Sequence, residues 1–206
     1  MIITSSTARR PFLASFVSLS CASLILLVGP STRAQNRAEL RAPSSFSSIP
    51  DTPTRSRALF SEAAKVIMNP RCMNCHPASD RPTQGNDMHP HSPPVTRGAD
   101  GGNTCGGCHT LLTDENVQSI PGNDRWGLAP IEMAWEGKSM GEICRQIKDP
   151  QRNGGRNLEL LYEHLAKDDL VAWGWNPGPG RDPVPGTQER LGELIRAWID
   201  SGAECP

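Results

Sequence analysis

Cys72, Cys75 and His76, and again Cys105, Cys108 and His109, make two copies of Cys-x-x-Cys-His. Both lie in "RCMNCHPASDRPTQGNDMHPHSPPVTRGADGGNTCGGCHT", residues 71–110, which holds four of the chain's seven cysteines and four of its five histidines. Two thiols three positions apart can add to the two vinyl groups on one haem edge as thioethers, and the adjacent imidazole can then ligate the iron. Random placement would give roughly 0.006 such motifs in a chain of this composition, so a pair of them marks a cofactor rather than chance. Other uses of paired CxxC are a four-cysteine zinc site, a redox dithiol and simple disulfides. Zinc needs no His after each pair, and a thioredoxin-like motif wants a strand and a helix around it. The expectation is therefore two c-type haems, tethered by Cys72, Cys75, Cys105 and Cys108, with His76 and His109 as proximal iron ligands.

The second axial position decides the chemistry, because a His or Met there favours electron transfer and an open position admits a small molecule. "DMHPHSPP" places His89 and His91 in a Pro-stiffened loop between the motifs, where one of them could be aimed at iron; the competing reading is a solvent-exposed loop. Met133, in "LAPIEMAW", is a candidate ligand or a core methionine. His164 is spaced to share a helical face with Leu160 and Leu161, as a ligand or a satisfied core residue. Met68 and Met73 are poor candidates, one on a helix and one inside a motif.

Cys144 and Cys205 remain once the thioethers are assigned. In an oxidising compartment a structural disulfide between them is the simplest use, with free buried thiols as the alternative. The five tryptophans, Trp126, Trp135, Trp173, Trp175 and Trp198, are expected to cover haem faces or edges.

The elements that position these residues read as mainly α. Leu59, Phe60, Ala63, Val66 and Ile67 form one face of a helix that starts near Arg55 and is closed by Pro70. Residues 77–130 carry turn residues and almost no periodicity, an irregular run that a cofactor would have to organise. Ser139 to Glu142 has capping-box spacing and predicts a helix to about Lys148. Asn157 is placed to cap a helix over Leu158 to Lys167. "WGWNPGPGRDPVPG" reads as a loop, and Leu191, Leu194, Ile195, Trp198 and Ile199 mark a last helix from Thr187 to about Ser201. No convincing strand appears.

The chain begins with Arg9 and Arg10, an apolar stretch from Phe12 to Gly29 that contains Cys21, and Thr32-Arg33-Ala34, which predicts a cleaved signal peptide over residues 1–34. "ARRPFLA" also resembles a twin-arginine signal, but a chain that receives its cofactor outside the cytoplasm should travel unfolded, which favours the general secretory route. Residues 35–54, rich in Ser, Pro and Arg, read as a flexible lead-in, and residues 55–206 as the dihaem domain. Loss of Arg9, Arg10 and Arg33 moves the formal net charge from -1 to -4. An acidic chain without a basic stripe argues against nucleic acid as a partner. No stable membrane span is expected after cleavage, the location is expected to be periplasmic, and nothing in the sequence fixes an oligomeric state. The second motif starts 33 residues after the first, too close for separate domains, so both haems should share one small fold.

The helix before "CMNCH" and the closing "LIRAWIDSGAECP" resemble the helices that bracket c-type cytochrome domains. "RPTQGNDMHPHSPPVTRGADG", "LAPIEMAWEGKSMGEICRQIKDPQRNGG" and "VAWGWNPGPGR" resemble a group of small exported bacterial dihaem proteins labelled as a subunit of isoquinoline 1-oxidoreductase. The resemblance covers about Leu59 to Pro206. It implies a compact, loop-rich cytochrome c-like domain organised around two covalently bound haems. No segment resembles a molybdopterin-binding or iron-sulfur subunit, so the label implies at most an electron-accepting partner of such an enzyme. The expected function is single-electron relay between a dehydrogenase-type donor, such as a molybdenum hydroxylase, and another redox protein. The alternatives are a haem enzyme of peroxidase type with one open haem, for which His89 or His91 would be the polar distal group and the chain is short, and a small-ligand sensor, for which no signalling domain is attached.

Overall fold

The computed structural model describes residues 38–97, 105–109 and 120–206. The expected signal peptide, residues 1–34, lies outside them. The described part is mainly helical, and each helix starts where a side chain can satisfy the unpaired N–H groups of its first turn.

Asp51 is extended and its carboxylate accepts the Thr54 N–H at 2.9 Å, which opens α1 (Thr52–Ile67). The expected stripe of Leu59, Phe60, Ala63, Val66 and Ile67 is buried. Pro70 stops α1 but also opens α2 (Pro70–Met73): Pro needs no N–H in a first turn, and the Asn69 side chain accepts the Arg71 N–H at 3.0 Å. A two-residue antiparallel pair follows, β1 (Thr83–Gln84) with β2 (His89–Pro90), in a region where the sequence showed no strand. The Ser139 capping box forms and opens α3 (Met140–Ile147). Asn157 caps α4 (Leu158–Lys167), and the Asp168 carboxylate caps the short α5 (Asp169–Ala172). A 3-10 turn over Trp173–Trp175 follows, so the tryptophan loop begins with regular structure. Thr187 caps α6 (Gln188–Asp200).

α6 packs on α1 on one side and α4 on the other. Trp198 is fully buried and its ring lies 5.1 Å from that of Phe60. Leu191, Leu194, Ile195, Leu161, Leu165 and Ile143 join them, each contributing roughly 1.5 to 3 kcal/mol on burial. Gly192 lets α4 approach closely, since a Cβ there would stand 2.7 Å from Ala166 Cβ. Trp198 therefore belongs to the helical core and not to a cofactor face. Leu160, expected to point inward with Leu161, is 52% exposed, and Leu161 and Leu165 form the inner face instead.

The lead-in also differs from its reading. Leu40 and Phe46 are buried in the same core, the latter on a 3-10 turn over Pro43–Phe46, and Gly186 N–H donates to Ala38 O at 2.9 Å. Two isolated apolar residues leave no periodic signal, which is why composition suggested a flexible segment. Cys144 of α3 and Cys205 beyond α6 are joined as a disulfide, the pair expected from the sequence. Among the described residues no helix is long and apolar enough to cross a membrane.

Candidate functional site

The first motif sits at the end of α1, on α2 and the turn after it. Cys75 N–H donates to Cys72 O at 3.1 Å and His76 N–H to Met73 O at 3.0 Å, so the motif is one helical turn with both thiols three positions apart. Residues 129–136 dock on it: Ala129 N–H donates to Cys75 O at 2.9 Å, and the His76 carbonyl accepts the N–H groups of Trp135 and Glu136. That docking brings the Met133 carbonyl 2.8 Å from His76 Nδ1 and stacks Trp135 on the His76 ring at 3.6 Å, nearly parallel.

The second motif repeats the arrangement. Cys108 N–H donates to Cys105 O at 3.1 Å, as Cys75 does to Cys72, and His109 N–H reaches one residue further back, to Cys105 O at 2.9 Å. Its Nδ1 lies 2.7 Å from the Pro121 carbonyl, and Trp126 stacks on the ring at 4.8 Å. Trp173 meets Trp126 edge-on at 4.9 Å. A carbonyl can only accept, so each ring carries its proton on Nδ1 and leaves the Nε2 lone pair for a ligand-binding role. Burial pushes the His76 imidazole down to about 4 and lowers His109, which keeps both rings in the neutral form that a metal needs.

The four motif cysteines are not paired with one another. Burial pushes the Cys72 thiol up to about 12 and Cys75 up to about 11, with the neighbouring thiols adding to it, and raises Cys105 as well. A redox dithiol works through a depressed thiol pKa, so this environment is the opposite of a thioredoxin-like one. Among the described residues no three His, Cys, Asp or Glu side chains converge as a zinc cluster would require. Haem iron asks the protein for only two axial ligands, because the macrocycle supplies the other four.

Buried donors test the fit to such a group further. Arg71 Nε and Trp173 Nε1 are buried with no acceptor among the described residues, and the Arg71 guanidinium carbon lies 5.8 Å from the Trp173 ring centre. Its Nη2 is satisfied by Gly85 O at 2.5 Å and Asn86 Oδ1 at 2.9 Å. An orphaned buried donor costs roughly 1 to 3 kcal/mol. A planar apolar group with carboxylate arms suits this corner, and haem with its propionates is one.

The structure separates the four remaining candidate ligands. Met133 and His164 line one small cleft with His76, together with Ile67, Trp135, Leu161, Arg152 and Arg156. His164 Nδ1 donates to Asp168 Oδ2 at 2.9 Å, so its Nε2 is also free, and burial lowers its pKa. His91 is half-buried, donates from Nδ1 to Pro93 O at 2.9 Å, and lies 6.1 Å from the His109 ring, centre to centre. His89 is committed elsewhere: Nδ1 bonds Asp87 Oδ1 at 2.6 Å, Nε2 bonds Gln84 Nε2 at 3.1 Å, and its side chain is 47% exposed. Sequence reasoning missed the carbonyls of Met133 and Pro121, the side chains of Arg71 and Asp168, and which tryptophans serve which motif. Trp175 donates to Pro185 O at 3.1 Å. Main-chain acceptors leave no mark on residue type, whereas the buried Arg71 beside Cys72 was open to notice.

No family model, no curated protein and no solved structure matches this chain.

Proposed function

We propose that this chain is an exported, periplasmic dihaem cytochrome c with a cytochrome c-like domain, and that it relays single electrons from a dehydrogenase-type donor, such as a molybdenum hydroxylase, to another redox protein. The observation that carries the reading is the matched pair of Nδ1–H to carbonyl bonds at His76 and His109, one behind each Cys-x-x-Cys-His turn. Such a bond fixes the ring's tautomer and orientation, as outer partners of metal-bound histidines do. When bound, haem supplies a one-electron iron couple. The chain's own work is to tether through Cys72, Cys75, Cys105 and Cys108, to ligate through His76 and His109, and to cover one face of each imidazole with Trp135 and Trp126.

In this reading Met133 would serve His76 through its carbonyl, which holds the imidazole that would ligate the first iron. His164, in the same cleft with Nε2 free, is the residue left to close that iron.

Intact mass and the pyridine haemochrome spectrum of the purified exported protein test the reading. A mass greater than the polypeptide by two haems that resist acid extraction is expected. A chain without covalent haem overturns it. A high-spin signal that binds cyanide or peroxide in the loaded protein would favour the peroxidase-type reading instead.

A further inference from the structure

We propose that His91 is the sixth ligand of the iron held by the second motif, so that this centre is closed by two histidines; this rests on the dihaem reading. The rings of His91 and His109 are 6.1 Å apart, centre to centre, and tilted by 57°. A bond between imidazole nitrogen and a first-row metal is about 2.0 to 2.1 Å, and the nitrogen lies about 1.1 Å from the ring centre, so two imidazoles on opposite sides of one metal put their centres roughly 6.3 Å apart. The observed gap is close to that spacing and wider than the two stacked His and Trp pairs among the described residues, which stand at 3.6 and 4.8 Å.

Protonation points the same way. His91 donates from Nδ1 to Pro93 O and His109 from Nδ1 to Pro121 O, so each ring presents an Nε2 lone pair on the side away from its carbonyl. Among the described residues neither Nε2 has a donor, which leaves both lone pairs for a metal in the dihaem reading. His89 has no such lone pair to give, since its Nε2 is engaged by Gln84 and its Nδ1 by Asp87. The His91 backbone is held in turn: its N–H donates to Pro82 O at 3.1 Å, next to the β1–β2 pair. The turn of that pair begins at Gly85 (φ 80), where a Cβ would come within 2.8 Å of the His89 ring and Asp87.

The test uses the full haem-loaded chain and the electron paramagnetic resonance and visible spectra of its oxidised form. His91→Ala should convert one of two low-spin centres to high-spin, a loss of half the low-spin signal. His91→Met should keep that centre low-spin and raise its reduction potential, which guards against an Ala variant that folds poorly. His89→Ala should leave both centres unchanged. Unchanged spectra in His91→Ala and His91→Met overturn the assignment while leaving the dihaem reading standing. Absence of covalent haem from the unsubstituted protein overturns both, and intact mass reports that outcome before any variant is made.

Discussion

Asp168 Oδ2 lies 2.9 Å from His164 Nδ1, and the same carboxylate caps α5 through the Leu170 N–H and takes a two-pronged contact from Arg125. One side chain thus orients the cleft imidazole, starts a helix and holds residues 123–126 near α4. Asp168→Ala should lower stability by about 2 kcal/mol, since cap loss alone costs roughly 0.5 to 2 kcal/mol and the exposed Arg125 adds little. Asp168→Asn should retain a good part of that, because an amide oxygen still caps. Urea denaturation of the three proteins gives the comparison.

Glu62 is a buried carboxylate on α1 that bonds Lys65 Nζ at 2.7 Å and the Arg41 N–H and Nε at 3.0 and 2.9 Å. Burial alone would raise its pKa, but Lys65 and Arg41 outweigh it and hold the carboxyl below the ordinary 4.5. A depressed folded-state pKa means the contribution is complete above the ordinary value and is lost as pH falls through it toward the folded one. The stability gap between the unsubstituted chain and Glu62→Gln should therefore be constant from about pH 7 to about pH 6 and shrink toward about pH 3. A gap that widens on acidification would show the sign to be wrong.

Gly192 of α6 faces Ala166 of α4. An added Cβ would meet Ala166 Cβ at 2.7 Å, and overpacking costs roughly 1 to 3 kcal/mol, against a gain of about 1 kcal/mol in helix propensity for Gly→Ala. Packing wins, so Gly192→Ala should destabilise by about 1 kcal/mol. Ala166→Gly combined with Gly192→Ala should relieve the clash, which thermal melts of single and double variants would reveal as non-additivity.

The disulfide between Cys144 and Cys205 closes a loop of 61 residues in sequence separation. Cys144→Ala with Cys205→Ala should cost about 2 to 4 kcal/mol, the usual range for such a loop. Equilibrium denaturation under non-reducing conditions checks this. A reducing agent should bring the unsubstituted chain to the same midpoint.

Much of the helical scaffold was legible because side-chain periodicity and caps are written in residue types: α4 falls on the residues from Leu158 to Lys167 with Asn157 as cap, and the Ser139 capping box forms. The motif residues were legible for the same reason. The Met133 and Pro121 carbonyls were not, since every residue has one and only the folded path selects which faces an imidazole. Nor was the contrast between His89 and His91, two residues apart in sequence. It depends on which ring nitrogen finds a donor, and Gln84 supplies that only once β1 and β2 pair.

The acceptors behind His76 and His109 are both neutral carbonyls, whereas the acceptor behind His164 is a carboxylate. A carboxylate draws the Nδ1 proton more strongly and makes its ring the better electron donor. In the dihaem reading the two irons would share the same kind of acceptor behind their tethered histidines. The far sides would then add a difference in potential, through Asp168 acting on His164 at one centre and the Pro93 carbonyl acting on His91 at the other.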